Sequence, residues 1–407
     1  MNCRHCKQPL LQTFLDLGSS PPSNAYLNKE DLSRPEKFFP LKISVCRNCW
    51  LAQTEDYVEF SSLFTDQYAY FSSTSRSWLD HAERFSEEIV GKLGLSGTSY
   101  VIEVASNDGY LLRNFVNAQI PCLGIEPTMS TAAAAEVLGI PTLRAFFGEK
   151  VGKQLASDGQ QGDLIVANNV YAHVPDINDF TVGLKVALKP GGTITLEFPH
   201  LMQLLSEAQF DTIYHEHFSY LSLMTVDQIF SRVGLRVYHV DELPTHGGSL
   251  RIFGCHSDDD RETDQSVRDI ILRERDQGLT QIETYLTLQA RAEKIKDDLV
   301  AFLLEKKRVG ATVAAYGAAA KGNTLLNFAG IKPDLLPVVF DAALSKQGKF
   351  MPGSHIPILP PERLMDLKPD YLLILPWNLA EEVMSQQAAL KKLGTQFLTA
   401  IPRLRIL

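Results

Sequence analysis

The chain has 407 residues, is 45% hydrophobic and 21% charged, and carries a formal net charge of −9. At this length two or three domains are expected, with the composition of a soluble globular protein. The acidic balance argues against a nucleic-acid-binding role, which shows a basic face. The start "MNCRHCKQPL" lacks an apolar leader, and no run of about 18 apolar residues suggests a membrane span. A cytoplasmic protein is therefore expected, whose six cysteines are metal ligands or buried thiols and not disulfides.

Four of those cysteines are paired. Cys3 and Cys6 form one C-x-x-C, and Cys46 and Cys49 form another in "VCRNCW". Two such pairs supply four thiolates for a tetrahedral structural zinc ion and leave no open position for catalysis. The long gap between them must fold as its own small unit. "GSSPPSN" provides a turn there, and "EKFFPLKISVC" reads as a strand entering the second knuckle.

From Ser72 to Leu93 the pattern is helical, with serines and a threonine at its start. Next, "TSYVIEVASNDGYLLRNF" gives an apolar strand ending near Glu103, a loop with Asn107, Asp108 and Gly109, and a helix. A second strand, "PCLGIEP", ends at Glu126; "DLIVANNVYAHV" is a third, carrying Asn168, and "GGTITLEFPH" a fourth. Strands and helices alternating at this period predict a doubly wound parallel sheet with its ligand at the strands' carboxyl ends.

The first loop has one glycine where a dinucleotide pyrophosphate needs several. Its acids suit a cationic ligand better. S-adenosylmethionine fits, with a cationic sulfonium and amino group, and with ribose hydroxyls for Glu126 to accept.

A polar helical bridge is expected from Ser257 to about Lys307, with Ile and Leu at helical spacing on one face. A second alternating segment then opens with "GATVAAYGAAAKGNTLLNFAGI". Its small residues leave backbone N–H groups open, and Lys321 sits where a helix begins, which suits phosphate. Asn323 lies in the same loop, and Arg251, in "GGSLRIFG", is a further candidate for the substrate. "LLPVVFDAAL" and "PDYLLILPW" supply two more buried strands. The expected units are residues 1–71, a zinc-binding module; 72–255, a Rossmann-like domain; and 256–407, the bridge with a second Rossmann-like domain.

"YHEHFSYLS", Tyr214 to Ser222, admits three readings: a metal site, a satisfied core turn or an acid–base centre. It is not the helical H-E-x-x-H of zinc proteases. In a strand His215 and His217 would share a face; in a helix they would point nearly opposite ways.

Taken together, "CRHC…CRNC", "EVASNDG", "GIEPT", "NNVYAHVPD", "YHEHFSYLS", "GGSLRIFG" and "AYGAAAKGNTLLN" resemble the nucleotide-sugar C-methyltransferases over the whole chain and in the same order. One small departure is Ala105-Ser106 in the first loop, where glycine or cysteine is expected. The resemblance implies a SAM-dependent enzyme that methylates C3 of a nucleotide-linked 4-keto-deoxysugar through an enolate. The alternative is O- or N-methylation of a similar small molecule.

By the same resemblance His217 is the base, as suits a group titrating near neutrality. Tyr214, Tyr68 and His173 complete the active site with Glu216, which alternation in an extended chain would turn away from His217 and toward the sugar. Glu103, Asn107, Asp108, Gly109, Glu126 and Asn168 would hold the cofactor. Lys321, Asn323 and Arg251 would hold the nucleotide sugar.

Overall fold

A computed structural model describes residues 1–57 and 71–407. Near its start, two hairpin-like knuckles place Lys7 and Trp50 in the left-handed region, so that Lys7 N–H donates to Cys3 O and Trp50 N–H to Cys46 O. Strands β1 (Gln12–Ser20), β2 (Phe39–Val45) and β3 (Ala52–Thr54) form an antiparallel sheet beside these knuckles. The fourth strand of this sheet, Ser219–Tyr220, comes from the middle of the chain, where it is β9.

The second sheet has seven strands: β4 (Val101–Val104), β5 (Cys122–Ile125), β6 (Thr142–Leu143), β7 (Gly162–Asn168), β8 (Leu188–Pro199), β10 (Leu235–Leu243) and β11 (Ser249–His256). Their order is β10-β11-β8-β7-β4-β5-β6, with β11 antiparallel to both neighbours. The chain winds from β4 outward through β5 to β6, then returns to β7 and winds the other way. That reversal opens a crevice between β4 and β7 at their carboxyl ends.

The third sheet repeats the device. Strands β12 (Val313–Tyr316), β13 (Val339–Phe340), β14 (Ile358–Leu359), β15 (Tyr371–Ile374), β16 (Gln396–Thr399) and β17 (Arg405–Ile406) run in the order β14-β13-β12-β15-β16-β17. Here the reversal lies between β12 and β15.

Local chemistry explains the helix boundaries. Helix Arg76–Leu93 starts where the Ser75 hydroxyl accepts from Trp78 N–H, and stops at Gly94 with φ 63°. Ser222 and Gly234 bracket Leu223–Val233 in the same way. The polar bridge is two helices, Gln265–Asp276 and Ile282–Arg308, separated at Gly278 with φ 78°. The longer one buries Tyr285, Leu288, Ala292, Ile295, Leu299 and Leu303, a stripe at steps of three and four residues.

That stripe joins Phe14 and Val45 of the first sheet to Val313 and Val339 of the third in one core. Each fully buried aliphatic chain contributes about 1.5–3 kcal/mol, so the helix is a spine and not a tether. No helix among the described residues is long and apolar enough to cross a membrane.

The second and third sheets face each other across their strand ends, and one glycine sets how closely. Gly247, at φ +87°, lies where a Cβ would stand 2.2 Å from Trp377 Cη2. Trp377 Nε1–H donates to Asp211 Oδ2 at 2.8 Å, and Gln209 Nε2–H donates to Gly247 O at 2.8 Å. Gly247→Ala is expected to cost about 2–4 kcal/mol, from left-handed strain plus overpacking. A guanidinium denaturation midpoint unchanged from wild type would refute that close approach.

Candidate active site

A single cavity of about 640 Å³ runs from the carboxyl ends of β4, β5 and β7 to the loops that follow β12 and β15. It is where the two switch points meet. At one end, Glu126 follows β5 and accepts from Asn107 N–H at 3.0 Å and Thr128 N–H at 2.9 Å. Asn107 takes φ 49°, turning the loop after β4 over the cavity. Asn168, at the end of β7, lines the wall with Asn169. Asn168 Oδ1 and both side-chain polar atoms of Asn169 lack a partner among the described residues.

Glu103 is buried beneath this wall; burial, with Asp108 and Glu126 nearby, pushes its carboxyl well above the usual range. Clustered acids and open amide groups fit a cationic ligand with hydroxyls to donate, as S-adenosylmethionine is. Asp108 itself accepts from Ser73 N–H at 3.1 Å and so closes the segment before helix Arg76–Leu93 over the loop. Gly109, at φ +78°, packs where a Cβ would lie 2.3 Å from Ile140 Cδ1. It shapes the turn and is not part of the cavity wall.

The middle of the cavity is made by the Tyr214–His217 turn. Extended geometry would have put the two histidines on one face, but His217 N–H donates to Tyr214 O at 2.9 Å and closes a turn. His215 therefore points away, its Nε2 3.2 Å from Pro40 O in the first sheet, and the two do not converge on a metal. His217 and Tyr214 converge instead.

His217 Nδ1 lies 2.8 Å from Thr212 O, and a carbonyl only accepts, so Nδ1 carries the proton. Nε2 then has a lone pair, which accepts from the Tyr214 hydroxyl at 2.7 Å. The His173 ring stands edge-on to His217 with centroids 4.6 Å apart. Glu216 is buried and accepts from Asn24 Nδ2–H at 2.7 Å.

At the far end, Lys321 opens helix Ala320–Phe328. Its Nζ lies 4.7 Å from the centre of the Trp377 ring and donates to Asn378 Oδ1 at 2.6 Å. Burial pushes its ammonium below the usual lysine range, and nearby Asp211 only partly opposes that. Burial likewise raises Asp211 to about 6. Lys346 lines the same end and donates to Ala318 O at 2.9 Å.

Two sequence-derived substrate candidates sit outside the cavity lining. Asn323 is 1% exposed and donates to Ser23 O at 2.6 Å, tying the zinc module to the third sheet. Arg251 is 4% exposed, lies over the Phe85 ring and bonds Glu197 at 3.1 Å. Glu197 also meets His81 at 3.0 Å, and His81 stacks on Trp78, which lines the cavity. Tyr68 lies outside the described residues. Cavity residues that sequence reading missed include Asn24, Trp78 and Asn378. Their places in the cavity are decided by packing, which no local pattern announces.

The four cysteines fit zinc. Four thiolates about 2.3 Å from one ion stand about 3.8 Å apart. Cys3 and Cys49 sulfurs are 3.5 Å apart, Cys6 and Cys46 sulfurs 3.4 Å, and all four lie within 4.8 Å of one another. Arg4, between two of them, carries the geometry outward. It is 7% exposed, donates to Thr54 O and Pro175 O at 3.0 Å, pairs with Asp56 and lies over the Phe218 ring.

Burial lowers His173 and His246 to about 4, and lowers His217 well below 6.5, with His173 adding to the effect on His217. Below an ordinary pKa of about 6.5 the unfolded chain takes up protons that these folded histidines refuse. Their contribution to stability is thus fully present above pH 6.5 and is lost as pH falls toward 4. Melting temperatures across pH 4.5–8 should show it as a difference: His173→Asn should fall less steeply below about pH 6.5 than wild type. Parallel curves would mean that His173 is not held neutral by the fold.

Family profiles match the chain in sequence: a zinc-binding domain over residues 3–64, a methyltransferase domain over 70–240 and a C-methyltransferase C-terminal domain over 244–402. The C-methyltransferase NovU of Streptomyces niveus is 34% identical over 405 residues, covering 100% of this chain and 96% of that protein. Among solved structures, the glycopeptide N-methyltransferase MtfA with sinefungin is 13% identical at TM-score 0.34, over 43% of this chain and 94% of that one. Magnesium protoporphyrin IX methyltransferase from Synechocystis PCC 6803, with bound SAH, is 14% identical at TM-score 0.35, over 44% of this chain and 83% of that one. The chain belongs to the C-methyltransferase family and is a SAM-dependent methyltransferase with an N-terminal zinc-binding domain.

Proposed function

We propose that this enzyme methylates C3 of a nucleotide-linked 4-keto-deoxysugar through an enolate. The observation that carries the reading is the Tyr214–His217 pair, set in the cavity between the strand ends of two sheets. One end of that cavity suits a cationic methyl donor, and the other carries the lysine that an anionic nucleotide needs. The resemblance of the sequence motifs names the sugar class. The cysteines form no disulfide among the described residues, which suits a reducing compartment, and we place the enzyme in the cytoplasm.

Bound S-adenosylmethionine supplies an electrophilic methyl group at its sulfonium, and nothing more is asked of it. The chain's own residues must make C3 nucleophilic. A proton on a carbon beside a ketone passes to the Tyr214 oxygen as the tyrosine proton moves to His217 Nε2. The ketone oxygen becomes the enolate oxygen. Because Nδ1–H is held by Thr212 O, the ring stays oriented through the transfer. Before substrate arrives, burial keeps His217 neutral and able to accept. An incoming diphosphate raises the proton affinity of His217 by its charge, which helps the transfer forward. Lys321, at the start of its helix, meets that diphosphate with both its charge and the N–H groups of the first turn.

Positioned general bases contribute about 10²–10⁴ in rate, so Tyr214→Phe and His217→Asn should each lower kcat by about that factor. Deuterium exchange locates the step. With the sugar nucleotide and S-adenosylhomocysteine in deuterated water, wild type should place deuterium at C3, and both variants should be slower. Exchange at full rate in both would assign the base elsewhere. Carbon-13 NMR of the methylated product should show the new methyl group on carbon; a methyl on oxygen would favour the O-methylation reading.

Hydrogen bonds to charged groups are worth about 1.5–3 kcal/mol, so Lys321→Ala should weaken nucleotide-sugar binding about 10- to 100-fold. Calorimetry should find S-adenosylmethionine affinity within about twofold of wild type, because the two ends of the cavity are built from different sheets. Equal loss of both ligands would overturn the assignment of Lys321.

A further inference from the structure

We infer that Asn24, a residue of the zinc module, is a positioning residue for the Glu216 carboxylate, which makes the module one wall of the active site. The inference rests on the reading of Glu216 as a sugar-facing group. Asn24 and Glu216 line the same cavity, and Asn24 Nδ2 lies 2.7 Å from Glu216 Oε1. An ionised carboxylate only accepts, so the amide nitrogen faces Glu216 and donates. Glu216 is 2% exposed, and a carboxylate so buried needs donors to stay charged and oriented.

The backbone around Asn24 is fixed from the other side. Tyr26 N–H donates to Asn24 O at 3.0 Å, which closes a tight turn. Asn323 Nδ2–H donates to Ser23 O at 2.6 Å. The Tyr26 hydroxyl donates to Ala318 O, and Leu27 pairs with Phe350 as an isolated bridge. The turn is therefore wedged between the third sheet's loops and the Tyr214–His217 turn, and its side chain cannot drift with a loose loop. A donor held this firmly sets the carboxylate's direction, which is what a group gripping one sugar substituent requires.

The chemistry is directional, which makes it testable. Asn24→Ala removes this one donor, and Asn24→Asp replaces it with an acceptor that repels Glu216. Loss of a hydrogen bond to a charged group should lower kcat/KM for the sugar nucleotide about 10- to 100-fold in Asn24→Ala, and further in Asn24→Asp. S-adenosylmethionine affinity by calorimetry and zinc content by elemental analysis should match wild type in both, and both should still melt cooperatively, at a lower temperature in Asn24→Asp. In a Glu216→Ala background the same Asn24→Ala change should alter kcat/KM by less than about twofold, because its partner is gone.

An equal fall in both backgrounds would overturn the inference, since Asn24 would then act elsewhere. So would an unchanged kcat/KM in Asn24→Ala alone. If Glu216→Ala is itself silent, the reading of Glu216 as sugar-facing fails, and the positioning role fails with it.

Discussion

The site depends on a strand that is only two residues long. Ser219–Tyr220 follows the Tyr214–His217 turn directly and pairs with Ala52 and Gln53 of the zinc module's sheet. Thr54 extends the join: its N–H donates to Phe218 O at 3.1 Å and its hydroxyl to His217 O at 3.0 Å. Phe218 N–H donates to Ala172 O at 2.8 Å, which brings the loop bearing His173 into the same network. A two-residue strand has little stability of its own. Its partner strand is held by the knuckles, whose geometry is set by four thiolates, and Arg4 transmits that geometry to Pro175 and Phe218. The four cysteines do not line the cavity, yet the knuckles they form hold the backbone beside both His173 and His217.

Burial governs the electrostatics of the cavity. His173, His217 and His246 are driven toward neutrality, and Lys321 toward the uncharged amine. At the opposite end Glu103 is driven toward the protonated acid. A nearby ligand of opposite charge would push each of these groups back toward its charged form. Glu197 is the exception: burial would raise it, but His81 and Arg251 outweigh that and hold it below the usual range. It is matched within the protein, which suits a supporting role behind Trp78 and not a role in the cavity.

Two sheets from distant parts of the sequence can share a cavity only if their separation is fixed. The helix Ile282–Arg308 helps by burying one stripe in a core it shares with the third sheet and with Leu201, Leu204 and Leu205, which follow β8 of the second. Trp377 does it locally, packing on the bare backbone of Gly247 and donating to Asp211. The arrangement leaves a cavity of about 640 Å³ between the strand ends of the two sheets.

The sequence by itself determined a good deal. Paired C-x-x-C spacing named the zinc ligands, because tetrahedral thiolate coordination needs little beyond four cysteines in two knuckles. Alternating apolar runs and acidic strand ends located β4, β5 and β7 and the cationic ligand they suit, because period and strand-end chemistry are local properties. The short strands β6, β14 and β17 and the antiparallel β10 and β11 were not legible, since pairing across the sheet defines them and apolar content does not.

The "YHEH" stretch marks the boundary. Its residues left a metal site, a core turn and an acid–base centre all open, and extended geometry would have put His215 and His217 on one face. The tertiary structure folded it into a turn, sending His215 into the zinc module and His217 to Tyr214. Likewise Asn323 and Arg251 carry the right chemistry for a substrate but are used in packing, and Asn24 reaches the cavity from the turn in "GSSPPSN", which was legible as a turn but not as part of a site. Residue type fixes what a side chain can do. Which partner it meets is decided by long-range contacts, whose closure depends on the whole chain.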